Sequence, residues 1–190
     1  MSWNDSLEQK LAALSSEEFD YTETTDIRRT SQLDLGCTGI FTDATVIYFE
    51  IKNITYLLKE NGRRKTAQVY TMYNEVLTAL AEQTGGLLNC FSPTAFLLIY
   101  PGKEESIKQA VTAALKVVYA LTETYKHYFS SISNVEFAMG LDHGHIMGTK
   151  VLSDYGTENI AWFGTCIYKA IRICKECARP FYVGVSVAIR

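Results

Sequence analysis

Residues 44–51, ATVIYFEI, limit what this chain can fold into more than any other stretch. The run is continuously apolar, β-branched and aromatic, and Glu50 is its one carboxylate. Without polar alternation it predicts a central strand buried on both faces. A carboxylate inside such a run is costly to bury without a partner. Glu50 is therefore either a strand-end carboxylate with a satisfied hydrogen bond or a member of a site.

The rest of the chain supplies the elements around that strand. Leu7, Leu11 and Leu14 recur at helical spacing and predict a short helix over residues 4–14. Residues 15–43 are rich in Thr, Ser and acids with little periodicity, and are expected to form an irregular arm that packs on the domain or on a partner. Beyond the strand, Val69, Met72, Tyr73, Val76, Leu77 and Leu80 fall on one face of a long helix that Gly85-Gly86 ends. Residues 87–91 and 95–100 read as strands joined by a hairpin turn at Ser92-Pro93-Thr94. Residues 107–128 form a second long amphipathic pattern. Strands over 135–141 and 145–147 flank a turn at Asp142-His143-Gly144, where capping the turn is the expected role of Asp142 and His143. A strand over 160–163, a helix over 166–177 and a closing strand over 181–187 complete the order. Hairpins separated by helices imply an α+β, ferredoxin-like arrangement, with helices on one face of a mixed or antiparallel sheet. Residues 1–43 would be an N-terminal helix and arm, and 44–190 the domain itself. No internal repeat or low-complexity tract interrupts this order.

Composition removes several classes of function. At 190 residues the chain suits one core of the usual roughly 100–200 residues, and 47% hydrophobic content is too apolar for disorder. A net charge of −3 offers no overall attraction to nucleic acid or anionic membrane. The densest basic cluster, Arg63-Arg64-Lys65, is expected to be a solvated loop or helix start. No apolar run approaches the ~18 residues of a membrane span. The opening Met-Ser-Trp-Asn-Asp-Ser lacks the basic start and apolar stretch of a signal peptide, and the cysteine pattern is the one expected in a cytoplasm. Cysteines 37, 90, 166, 174 and 177 are odd in number and scattered through apolar segments, which suits reduced, buried thiols. Cys174 and Cys177 make a CxxC with no second ligand pair nearby, a weak metal or redox signal. No Walker-type loop, GxSxG or HExxH occurs.

Four segments, in order, resemble the catalytic domain of class III nucleotidyl cyclases. Val46 to Thr55 is similar to a strand ending in Asp-Ile-x-x-x-Thr, and Gly85-Gly86 with the following hairpin sits where the family has Gly-Gly, a strand and Gly-Asp. Gly140 to Gly148 resembles Gly-Ile-x-x-Gly-x-Val-x-x-Gly, and Trp162-Phe163-Gly164 before a helix carrying Arg172 resembles the Gly-x-x-x-Asn-x-Ala-x-Arg segment. The resemblance covers about residues 44–188. The Trp-x-Gly and the N-terminal arm look closest to the small pyrimidine cyclases of bacterial Pycsar-type antiviral systems.

The resemblance implies a site in which the ribose 3′-hydroxyl attacks the α-phosphate and two Mg²⁺ or Mn²⁺ ions clamp the reacting oxygens. The family holds those ions with two aspartates. Their positions here are Glu50, one methylene longer, and Thr94, a neutral hydroxyl. A displacement of an ångström or so costs about 100-fold in rate. The glycine before the second aspartate is Pro93, the transition-state Asn is replaced by Tyr168, and the purine-selecting Lys is replaced by Cys90. The transition-state Arg is retained as Arg172, which is either a phosphate contact or a surface arginine. Trp162 and Gly164, beside these, are the remaining candidate nucleotide-binding positions.

Two functions stay open. The first is a degenerate cyclase homologue that binds a nucleoside triphosphate or a partner with little or no cyclisation. The second is an active cyclase of altered metal or base preference, a pyrimidine cyclase making cUMP or cCMP in anti-phage defence. The resemblance also implies a two-fold dimer, either of identical chains or with a related chain carrying intact aspartates.

Overall fold

The computed structural model describes residues 3–92, 94–130, 135–152, 158–177 and 183–185. Its central strand begins earlier than the apolar run suggests: β2 spans Thr38–Ile51, with β1 (Asp20–Glu23) paired parallel to its first residues, Asp20 opposite Thr38 and Glu23 opposite Phe41. The segment expected to be an irregular arm therefore holds a strand and a 3₁₀ helix (Ile27–Gln32), the latter anchored by buried Ile27 and Thr30. Every residue of β1 is exposed, so no burial pattern marks it in the sequence. The N-terminal helix α1 (Trp3–Ser16) forms as expected and buries none of its residues.

Helix α2 (Ile54–Thr84) is broken at Gly62, whose φ of 73° and ψ of 172° lie outside helical values. Arg63-Arg64-Lys65 follow that break, exposed, at the start of the second helical piece. Gly85 closes the helix in the left-handed conformation that only glycine adopts freely (φ 76°). Strands β3 (Leu87–Ser92) and β4 (Ala95–Pro101) form the expected antiparallel hairpin, with Leu88 opposite Leu98 and an irregularity between Cys90 and Ser92. The second long helix is shorter than its apolar pattern: α3 (Glu104–Tyr119) runs into a π turn (Ala120–Thr124), whose end is marked by Tyr125 N–H donating to Ala120 O at 2.8 Å, and α4 (Lys126–Ser130) follows.

The turn expected at Asp142-His143-Gly144 does not exist. Strand β5 (Phe137–Leu152) runs straight through it. Local turn chemistry loses here to tertiary pairing, because Asp142 is fully buried and His143 Nδ1 lies 3.0 Å from Thr45 Oγ1 of β2. Strand β6 (Glu158–Phe163) pairs antiparallel with the end of β5, helix α5 (Thr165–Glu176) follows, and β7 (Val183–Val185) pairs parallel with β5. The expected closing strand is described only over β7.

Two compact units are distinguished, and β2 and β5 contribute to both. In the unit of residues 43–145 and 164–190, the strand order is β3-β4-β2-β5. Helices α2 and α3 cover one face with Val69, Tyr73, Leu77, Ala110, Ala113 and Val117, against Ile47, Phe49, Phe96, Leu98, Met139 and Leu141. Each large apolar side chain fully buried there contributes about 1.5–3 kcal/mol, and Tyr73 stacks on Phe137 at 4.8 Å. Side chains alternate across a strand. Gly140, between Met139 and Leu141, thus faces the opposite side, where α5 lies so close that a Cβ would stand 2.0 Å from Ala170 O. Helices therefore cover both faces of this unit's sheet, not one. The glycines that admit α5 resemble turn residues when read in sequence. In the unit of residues 1–42 and 146–163, β6 pairs with β5 from Met147 opposite Phe163 to Leu152 opposite Glu158, and Thr149 Oγ1 donates to Thr38 O at 2.7 Å. The architecture is α+β, with a mixed, largely antiparallel sheet and helices packed on it. No described helix is long and apolar enough to cross a membrane.

Candidate functional site

The end of β2 lies against the hairpin and brings the backbones of Glu50 and Thr94 close together. Glu50 pairs with Ala95 across β4, and Ile51 N–H donates to Thr94 O at 3.1 Å, so Glu50 and Thr94 share one corner of the sheet. Ile47, Phe49 and Ile51 point into the α2/α3 core, alternation places Tyr48 and Glu50 on the other face, and Lys52 follows the end of the strand. Lys52 Nζ stands 3.4 Å from Glu50 Oε2, with the side chains 26% and 22% exposed. Burial and then the Glu50 charge push the Tyr48 hydroxyl up to about 12. Burial and then Glu50 push the Cys174 thiol of α5 to about 12 as well, with Lys52 opposing. Both groups are neutral at pH 7 and offer no further anionic ligand. Pro93 lies outside the described residues, as does the side chain of Cys90.

A divalent ion of the Mg²⁺ type needs several oxygen ligands in near-octahedral array. This corner holds one carboxylate already accompanied by an ammonium group, plus a neutral hydroxyl. Among the described residues no group of three His, Cys, Asp or Glu side chains could hold a metal. The residues present do not fit the two-ion site that the resemblance implies.

Helix α5 separates its residues cleanly. Cys166, Ile167, Ala170 and Cys174 are buried, while Tyr168 (61% exposed) and Arg172 stand one turn apart on the outer face. Arg172 Nε is 3.8 Å from Glu176 Oε1 with both side chains 69% exposed, a loose surface pair of little energetic weight that leaves the guanidinium accessible. Gly164 precedes the helix, and its carbonyl accepts from Ile167 N–H at 3.1 Å. Trp162 is buried, and its ring packs so tightly on Gly148 that a Cβ there would approach within 2.7 Å. Cys177 Sγ lies 3.3 Å from Ile173 O and 3.9 Å from Met139 O, so the CxxC is absorbed into helix packing.

Asp142 is the polar residue whose position sequence reasoning misplaced. It sits on β5 beneath α5, fully buried, with Lys169 Nζ 3.7 Å from Oδ2. Burial pushes its carboxyl above the ordinary carboxylate range, and the Lys169 charge opposes this. Its charge adds to burial in raising the Cys166 thiol to about 11. An acid flanked at two residues' distance by Gly140 and Gly144 was the available signal, since those glycines mark where a helix lies directly on the strand.

No protein-family model matches this chain, and no curated protein does. Among solved structures it is similar to the guanylyl cyclase Cya2 (15% identity over 78% of this chain and 76% of that one, TM-score 0.68). It is similar also to the adenylyl cyclase CyaB from P. aeruginosa (15% identity, 78% of each chain, TM-score 0.69). A class III adenylyl cyclase-like ATP-binding protein from Pseudomonas aeruginosa superposes on 96% of this chain at TM-score 0.77 and 14% identity, and this chain spans 40% of that protein's length. The chain has the class III nucleotidyl cyclase fold.

Proposed function

We propose that this chain is a nucleotide-signalling protein on a class III cyclase fold that binds a nucleoside triphosphate or a partner chain, with little or no cyclisation. The observation that carries this is the sheet corner itself: one carboxylate, Glu50, paired with Lys52, and the uncharged Thr94 bonded through its backbone carbonyl to Ile51 N–H. Two further features support it. Tyr168 projects from α5 at the position where the resemblance calls for an Asn, and a bulky ring there crowds the ribose. Arg172 remains accessible as a phosphate contact. A partner is part of the proposal, because the resemblance builds its site across a two-fold axis and α5 presents Tyr168 and Arg172 outward. We place the protein in the cytoplasm as a homodimer, or as a heterodimer with a related chain that carries the intact aspartates.

The alternative is an active pyrimidine cyclase in phage defence. It draws support from the cyclases among the structural neighbours and from the retained Arg172. Incubation with each of the four ribonucleoside triphosphates plus Mg²⁺ or Mn²⁺, followed by mass analysis, separates the two. No cyclic product above the protein-free blank is expected. Robust turnover would establish the alternative, and cUMP or cCMP as the product would fix its class.

A further inference from the structure

We infer that the Lys52 ammonium is a cation built into the chain in place of the divalent ion at Glu50, so this corner takes up a triphosphate without metal. This rests on the proposed reading of Glu50 and Thr94 as the altered metal positions. Lys52 follows the last residue of β2, and its stem reaches back so that Nζ stands 3.4 Å from Glu50 Oε2. At 3.4 Å, with the side chains 26% and 22% exposed, the ammonium lies within ion-pair reach of Oε2. A Mg²⁺ ion would have to sit roughly 2.0–2.1 Å from that oxygen, beside the like charge of this ammonium.

Charge balance points the same way. Glu50 and Lys52 carry opposite formal charges that sum to zero, and Thr94 is neutral. A corner with no net negative charge has no electrostatic reason to strip water from a dication. It does carry an ammonium donor that can turn from carboxylate to phosphate, because lysine acts as a mobile point charge. The expected consequence is nucleotide affinity that is indifferent to chelators.

The test uses the whole chain. Mn²⁺ binding, followed by electron paramagnetic resonance, is compared for the unmodified protein, Glu50→Gln, Thr94→Asp and Thr94→Asp with Lys52→Met. The unmodified protein should show no saturable ion dependent on Glu50 up to millimolar Mn²⁺. The double variant should bind Mn²⁺ at least tenfold more tightly than Thr94→Asp alone. Equal affinity of those two, or an ion in the unmodified protein that Glu50→Gln abolishes, would overturn the inference. Should the double variant fail to fold by circular dichroism, the comparison of unmodified protein with Glu50→Gln decides alone. In a second arm, fluorescently labelled ATP, GTP, UTP and CTP are titrated in EDTA and in Mg²⁺. Affinity for the bound nucleotide should agree within threefold between buffers and fall at least tenfold in Lys52→Met. A requirement for Mg²⁺, or no change in Lys52→Met, overturns the role assigned to Lys52 at the triphosphate. Absence of all nucleotide binding would instead sink the nucleotide-binding function and leave the Mn²⁺ arm to judge the built-in cation.

Discussion

Gly140→Ala should lower the unfolding free energy by about 3 kcal/mol, whereas Gly144→Ala, four residues on and on the same face, should cost under about 1 kcal/mol. The chemistry of the two changes is identical, and only the space differs. At Gly140 the added Cβ would stand 2.0 Å from Ala170 O and 2.7 Å from Cys174 N, and backbone atoms of a helix cannot rotate aside. At Gly144 the nearest atom is Cys166 Cβ at 3.4 Å, an ordinary contact. Replacing glycine also restricts the unfolded chain, which favours folding by about 0.4–1 kcal/mol and partly offsets the smaller penalty. Urea midpoints of the two variants measure the difference. Because α5 carries Tyr168 and Arg172, nucleotide binding should fall with stability in Gly140→Ala and survive in Gly144→Ala. Coincident midpoints would mean that α5 is not seated on Gly140.

What the sequence discloses and what it hides follow from where burial is encoded. The ATVIYFEI run was legible because residues from Ala44 to Phe49 are all buried, and a run without alternation has few other uses. Strand β1 was not, since DYTE is exposed throughout and its order comes from parallel pairing with a segment that turned out to belong to β2. The π turn after α3 was invisible as well: ALTET contains neither Gly nor Pro, and its apolar spacing continues the helical pattern. Asp142-His143-Gly144 carries sound turn chemistry, and only the cross-sheet contacts of β2 and the overlying α5 make it a strand.

The site divides in the same way. The hairpin pairs with the central strand and brings the Thr94 backbone to the end of β2, and the link between Glu50 and Thr94 was legible through the resemblance. Lys52 was readable too, two residues beyond Glu50, although the family pattern directs attention to missing aspartates and away from a cation two residues on. Trp162 is a candidate nucleotide-binding position through the resemblance alone. Its burial against Gly148 depends on a β5–β6 register that no local signal specifies.

Lys169→Met should destabilise the fold by about 2–3 kcal/mol at pH 7, and Asp142→Asn by less than about 1 kcal/mol, although each removes one partner of the same pair. The asymmetry comes from exposure. Lys169 is 36% exposed and can swing its ammonium into water when Asp142 is lost, whereas Asp142 has no exposed surface and is left as a buried carboxylate when Lys169 is lost. The half-solvated lysine screens part of the attraction, so the full cost of about 3–5 kcal/mol for breaking a buried pair is not reached. The pH dependence follows from the direction of the shift. Burial raises the folded Asp142 carboxyl above its unfolded value of about 3.9, so the folded state holds the proton more tightly than the unfolded state does. Its contribution to stability is therefore complete below about pH 4 and is lost as pH rises through the folded value. Lys169 limits that rise. Without it, the folded value moves further up and the loss extends towards neutrality. Lys169→Met should thus be nearly as stable as the unmodified protein at pH 4 and fall behind it progressively up to pH 7, while Asp142→Asn should remove this slope. Urea unfolding at half-unit steps across that range reads both curves. A Lys169→Met deficit that stays constant with pH would show that Asp142 does not titrate in the folded chain. A larger cost for Asp142→Asn than for Lys169→Met would make the ammonium, and not the carboxylate, the charge that α5 buries.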